Sequence, residues 1–113
     1  MLDKKQVFFV HARPIRGLNW EATRGATFAV KYVNKVVGFK MAVALCGKKD
    51  NFNRKLGRQI AESRLKSTGW WKAKGLSSVI SNIHEICAER GFIVPVRSLT
   101  YIEETFNGKG RKS

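Results

Sequence analysis

The 113-residue sequence is poor in acidic residues, in cysteine and in long apolar runs. It has only eight Asp and Glu against 22 Lys and Arg, which gives a formal net charge of +14. Two cysteines are too few for the disulfide framework of a small secreted domain, so we expect reduced, buried thiols in an intracellular protein. No run of about 18 apolar residues is present, and the N-terminal segment has no small-residue cleavage site typical of a signal peptide. We therefore expect no membrane partner and a cytoplasmic location.

The few carboxylates are also scattered along the chain, which limits the chemistry available to it. General acid-base catalysis and two-metal phosphoryl transfer need clustered carboxylates, and no Gly-rich phosphate loop or serine elbow is visible. His84 and Cys87 form a single short pair of soft ligands, whereas zinc sites normally use two such pairs. We therefore expect no enzyme, no cofactor and no metal. The remaining catalytic alternative is a nuclease that uses His11 with Arg13 or Arg16.

The hydrophobic content of 43%, with twelve aromatic residues, is enough for the core of one domain. The sequence predicts a single α+β domain over residues 1–106, followed by a disordered basic tail at 107–113. Strands are predicted at 6–12, 27–33, 36–46 and 92–102, and helices from an Asp50 N-cap to about Lys66 and from a Ser77 or Ser78 N-cap to Gly91. The predicted order is β-β-β-α-α-β, with an antiparallel sheet and two helices packed on one face.

The second and third strands form the most clearly defined hairpin. Asn34 and Lys35 separate them and are typical of a two-residue turn, because Asn tolerates left-handed geometry. Side chains alternate along a strand, so Lys31 and Lys40 are expected to point away from the apolar face. Gly38 indicates a bulge or a close backbone approach.

The first helix is predicted to bury an arc formed by Phe52, Leu56, Ile60 and Ser63. Gly57 lies in the middle of this helix, where it costs about 1 kcal/mol relative to Ala. We therefore expect the helix to pack closely on a strand at Gly57, in preference to an approaching phosphate backbone.

Half of the net charge lies in one quarter of the chain. Between Lys48 and Gly75, nine Lys or Arg face only Asp50 and Glu62. Solubility needs a net charge of only about 2 to 8, so this excess favours a polyanionic partner. The stretch is predicted to form an amphipathic helix and a Gly-Trp-Trp loop, in which aromatic rings alternate with cations as in proteins that stack on unpaired bases. The candidate nucleic-acid-binding residues are Lys48, Lys49, Arg54, Lys55, Arg58, Lys66, Trp70, Trp71, Lys72 and Lys74.

The segment from Cys46 to Leu65 resembles one that recurs in small bacteriophage-encoded proteins of uncharacterised role. The resemblance covers about twenty residues and transfers no known activity. It implies a phage or prophage origin and a location in the host cell, where such small basic proteins bind nucleic acid or a host enzyme. The residues that carry it are Asp50, Phe52, Arg54, Gly57, Arg58, Ile60, Ala61, Arg64 and Leu65.

The sequence thus favours a non-enzymatic protein that binds nucleic acid, DNA in preference to RNA. The alternative is a phage protein that inhibits or redirects a host enzyme by direct contact, with the Trp loop as its anchor. The exposed edge of the hairpin could also pair two copies into a homodimer.

Overall fold

The computed structural model describes residues 7–15, 23–47 and 54–107. Within these ranges, four antiparallel strands form one sheet in sequence order: β1 (Val7–Ala12), β2 (Thr23–Asn34), β3 (Gly38–Gly47) and β4 (Trp71–Ala73). The same ranges contain three helices: α1 (Arg54–Lys66), α2 (Leu76–Arg90) and α3 (Val96–Asn107). The predicted α+β class and antiparallel sheet are confirmed. The predicted Asp50 cap and the tail beyond Asn107 lie outside the described residues.

The helices cover both faces of the sheet. Alternation along the strands sends the large apolar side chains, such as Phe28 and Met41, to the face covered by α2 and α3. The opposite face carries small side chains, including Ala29 and Ala42, against which Ala61 of α1 packs. The prediction that both helices share one face was therefore wrong, because β2 and β3 are apolar on their two sides.

The third helix, α3, replaces the strand that was predicted over residues 92–102. Pro95 suits the start of a helix, and its carbonyl accepts the first helical hydrogen bond from the Leu99 amide at 3.1 Å. Leu99 and Ile102 are buried against the sheet, a spacing of three that fits a helix. Within the segment predicted as a strand, Phe92 forms an isolated antiparallel bridge with Pro14.

The hairpin between β2 and β3 turns over three residues where two were predicted. The Asn34 side-chain oxygen accepts hydrogen bonds from the amides of Val36 and Val37, at 2.9 and 2.8 Å. This Asx turn extends the loop by one residue. Gly38 then adopts a φ of 87°, and a Cβ there would lie 2.6 Å from the Ala73 carbonyl oxygen of β4. The structure thus shows both features expected at Gly38. The backbone of β4 approaches it closely, and the register between β2 and β3 shifts opposite it, between Tyr32 and Asn34.

The second helix, α2, ends as predicted and begins earlier than predicted. Gly91 closes it in the left-handed conformation, with φ 74° and ψ 38°. Its N-cap is Gly75, which offers no side-chain hydrogen bond, so the prediction of a serine cap was wrong. Cys87 is a free thiol in the core, and burial raises its pKa. None of the helices in the described ranges is long and apolar enough to cross a membrane.

The first helix, α1, is rotated relative to the prediction. It buries Ala61 and Leu65, whereas Leu56 and Ile60 are 51% and 37% exposed. The sheet beneath it is lined with small side chains, so the helix approaches through its own small residues. The predicted close approach at Gly57 is confirmed, because a Cβ there would lie 3.1 Å from the Thr27 Cβ of β2.

Candidate nucleic-acid interface

Three lysines stand side by side on the sheet face that α1 covers. Lys31 of β2 is the cross-strand partner of Lys40 of β3, and Lys40 is in turn the partner of Lys72 of β4. Directly opposed Cβ atoms lie about 5 Å apart, so the three side chains form a row roughly 10 Å long. We call Lys31, Lys40 and Lys72 the lysine row. It lies one step along the strands from Ala29 and Ala42, which α1 covers.

The lysine row costs folding energy. Like charges directly opposite each other destabilise a sheet, by an amount similar to the 0.2 to about 1 kcal/mol that opposite charges contribute. Part of this cost is offset at the centre, where the Lys40 ammonium lies 4.3 Å from the ring centroid of Trp70. An anion lying across the row would remove the remaining repulsion.

A second basic group surrounds His11 at the start of α1. The His11 Nδ1 shares a 2.9 Å hydrogen bond with the Thr27 hydroxyl. Burial is the main cause that lowers the pKa of His11 from 6.5 to about 4, and the charges of Arg54, Arg58 and Arg13 lower it further. The imidazole is therefore neutral at neutral pH, in a strongly positive environment. Arg54 and Arg58 lie one helical turn apart on α1, which is consistent with their shared effect on this one ring.

The remaining cations of α1 differ in their surroundings. Lys55 and Lys66 are exposed, and Lys66 lies 4.0 Å from Glu62 in a solvent-exposed pair that contributes little to stability. Arg64 has a structural partner, since its guanidinium donates a 2.6 Å hydrogen bond to the Val43 carbonyl of β3. β4 pairs with β3 only from Phe39 to Met41. The Val43 carbonyl, which accepts the hydrogen bond from Arg64, therefore lies beyond the part of β3 that pairs with β4.

Trp70 and Trp71 do not form the loop that the sequence predicted. Trp71 begins β4 and packs with the large apolar cluster, whereas Trp70 packs with the small-residue cluster on the other face. Both rings are half-buried. Adjacent residues of an extended segment point to opposite faces of a sheet, so the two rings cannot stack on the same run of bases.

The structure thus brings together only some of the predicted residues. Lys72 joins the lysine row, Arg54 and Arg58 share the site at His11, and Lys74 is exposed just after β4. Lys48 and Lys49 lie outside the described residues. Within the described ranges no three His, Cys, Asp or Glu side chains are grouped as a metal site requires.

The charge is polarised between the two sides of the sheet. Eight Lys or Arg belong to α1 and the lysine row, where Glu62 is the one acid in the described part of that side. On the other side, α2 and α3 carry two arginines and four glutamates. The basic residues are Lys31, Lys40, Arg54, Lys55, Arg58, Arg64, Lys66 and Lys72. We call this side the basic face.

Comparison with known proteins identifies no relative for this chain. No protein-family model, curated protein or solved structure matches it.

Sequence reasoning missed Lys31 and Lys40 as site residues. Their orientation was predictable from strand alternation, but their alignment with Lys72 was not. That alignment depends on β4, a strand of three residues with too little pattern to recognise.

Proposed function

We propose that this protein binds nucleic acid without modifying it, DNA in preference to RNA, and that the basic face contacts the phosphates. The lysine row carries this proposal. Three cations in line over roughly 10 Å can follow successive phosphates, and each phosphate neutralised releases condensed counterions.

The placement of the row supports a polyanion over a single small anion. A small anion is bound by cations that converge on one point, whereas these three are spread along a line across three strands. Arg54 and Arg58 add further positive charge near His11, at the β1 edge of the sheet. A flexible chain of phosphates can engage both groups.

The absence of nearby acids also supports this partner. Exposed faces of helices usually mix both signs of charge. The single acid described on this side, Glu62, is already close to Lys66. The field at the surface therefore remains positive and attracts a negatively charged chain at long range.

The experiment compares two variants of equal net charge. In the first, Lys31, Lys40 and Lys72 are changed to Gln. In the second, Ser77→Glu, Ser81→Glu and Thr100→Glu remove the same net charge through exposed positions on α2 and α3. Fluorescence anisotropy at low salt should show weaker binding of a labelled DNA by the first variant, and a much smaller change with the second. Equal weakening of both would mean that only net charge matters.

The phage origin suggested by the resemblance makes a host protein the alternative target, and a pull-down from host lysate with and without nuclease tests it. We expect nuclease treatment to remove the host proteins from the pull-down, because nucleic acid bridges them to this protein. A single host protein retained after nuclease and at high salt would favour direct protein contact instead.

A further inference from the structure

A groove of about 470 Å³ follows the outer edge of β1. It lies where α1 and α3 approach this edge strand from opposite faces of the sheet. Its lining includes apolar side chains such as Phe9 and Ile102, and Arg58 of α1 and Arg97 of α3 contribute its cations. Its volume is in the range of pockets that hold small organic ligands.

Tyr101 of α3 provides an aromatic surface in the groove. Its ring packs near that of Phe8 of β1, with ring centroids 6.1 Å apart and planes at 53°. The residue is nevertheless 59% exposed. A ring that packs near a neighbouring ring and stays largely exposed is suited to stacking on a base, because little conformational freedom is lost on binding.

The charge of the groove selects for a negatively charged occupant. Arg58 and Arg97 come from different helices, and none of the described residues that line the groove is acidic. The Ser98 hydroxyl adds a neutral hydrogen-bonding group. Arginines beside an aromatic ring and apolar lining residues match a nucleotide, which is both aromatic and anionic.

The groove is also continuous with the lysine row. Val7, which lines the groove, is the cross-strand partner of Lys31 at the end of the row. A strand whose phosphates follow the lysine row across the sheet therefore reaches the groove at the β1 edge.

We propose that this groove receives an unpaired base and its phosphate, so that the partner is single-stranded nucleic acid. The inference rests on the proposed function and adds strandedness to it. A duplex keeps its bases paired and stacked, and so cannot place one in the groove without opening.

The test measures the affinity of the full chain for an oligo-dT strand and for a duplex of equal length. Tyr101→Leu and Arg97→Gln should each weaken binding of the single strand, about tenfold for Tyr101→Leu, and leave duplex binding nearly unchanged. Tyr101→Phe keeps the ring and should bind like the unmodified protein. Thermal unfolding of each variant verifies that the fold is retained.

The outcomes separate this inference from the proposed function. If Tyr101→Leu folds and binds the single strand as tightly as the unmodified protein does, the groove is not the site. The proposed function survives that result, provided that the lysine-row variant weakens binding. If neither oligonucleotide binds at low salt, both proposals fail. If a poly-glutamate peptide binds with the same dependence on Tyr101, the groove holds acidic peptides and the inference is wrong.

Discussion

Gly57 of α1 lies directly over Thr27 of β2, so that a Cβ at position 57 would be 3.1 Å from the Thr27 Cβ and closer still to its hydroxyl. The same hydroxyl shares the hydrogen bond with His11. Thr27 therefore links the packing of α1 to the basic group at the edge of β1. This contact fixes where Arg54 and Arg58 stand relative to the sheet.

Gly57→Ala should destabilise the protein even though Ala is the better helix former. The propensity gain is about 1 kcal/mol, and we expect the clash with a buried sheet residue to exceed it, for a net loss of about 1 to 2 kcal/mol. Urea unfolding measures the difference. In a Thr27→Ala background, which removes the nearest atom, the hydroxyl oxygen, the loss should be smaller. A stabilising effect of Gly57→Ala alone would contradict the close approach.

Gly75→Ser should stabilise the protein. Gly75 is the N-cap of α2 with extended φ and ψ, makes no side-chain cap, and has no atom within 4 Å of a Cβ built there. A serine hydroxyl can accept a hydrogen bond from the free amides of the first turn, so we expect a gain of a few tenths of a kcal/mol, up to about 1 kcal/mol. Gly75→Ala, which fills the same space without a cap, should not give this gain. Equal thermal midpoints for the two variants would argue against an uncapped start of α2.

Stability should fall as the solution is acidified from pH 6.5 towards pH 4. The pKa of His11 is about 4 in the folded protein and 6.5 in a model peptide, so between these values the unfolded chain binds a proton that the folded chain does not. That difference lowers the free energy of unfolding as the pH falls. Because His11 is partly exposed and water screens the nearby charges, we expect the loss of unfolding free energy to be only about 1 kcal/mol. Urea unfolding at pH 7 and pH 5 measures how far the free energy of unfolding falls between these two values. The fall should be smaller for His11→Asn than for the unmodified protein, and an equal fall would contradict a lowered pKa at His11.

Lys72→Glu should increase stability and weaken nucleic-acid binding in the same protein. The carboxylate would oppose Lys40 across the strands, replacing repulsion by attraction worth roughly 0.5 kcal/mol. Lys35→Glu makes the same charge change in the exposed hairpin turn and serves as the control. The thermal midpoint should rise more for Lys72→Glu than for Lys35→Glu. If the midpoint falls for Lys72→Glu, the lysine row does not carry the cost that we assign to it.

The elements that could be predicted from sequence are those whose pattern depends on large apolar side chains. Phe28 and Val30 mark one face of β2, and Val79 and Ile83 mark the buried stripe of α2. In these cases local periodicity and tertiary packing agree, so the prediction needed no knowledge of neighbours.

The orientation of α1 and the nature of α3 could not be predicted, for different physical reasons. The contact of α1 with the sheet uses Gly57 and Ala61, whose small size is an advantage only against a partner that is also small. The segment of α3 is rich in β-branched residues, and Pro95, which precedes this helix, is also tolerated at the edge of a strand or at a bulge. The groove depends on this helix, so Arg97 and Tyr101 could not be recognised as neighbours of β1.

The salt dependence of DNA binding tests the central claim most directly. For a single strand, the logarithm of the binding constant should fall linearly with the logarithm of salt concentration, with a slope of about −0.7 for each phosphate contacted. Changing Lys31, Lys40 and Lys72 to Gln should make this slope less steep by about 2. The variant with Ser77→Glu, Ser81→Glu and Thr100→Glu should keep the slope of the unmodified protein. An unchanged slope in the lysine-row variant would contradict phosphate contact by the row.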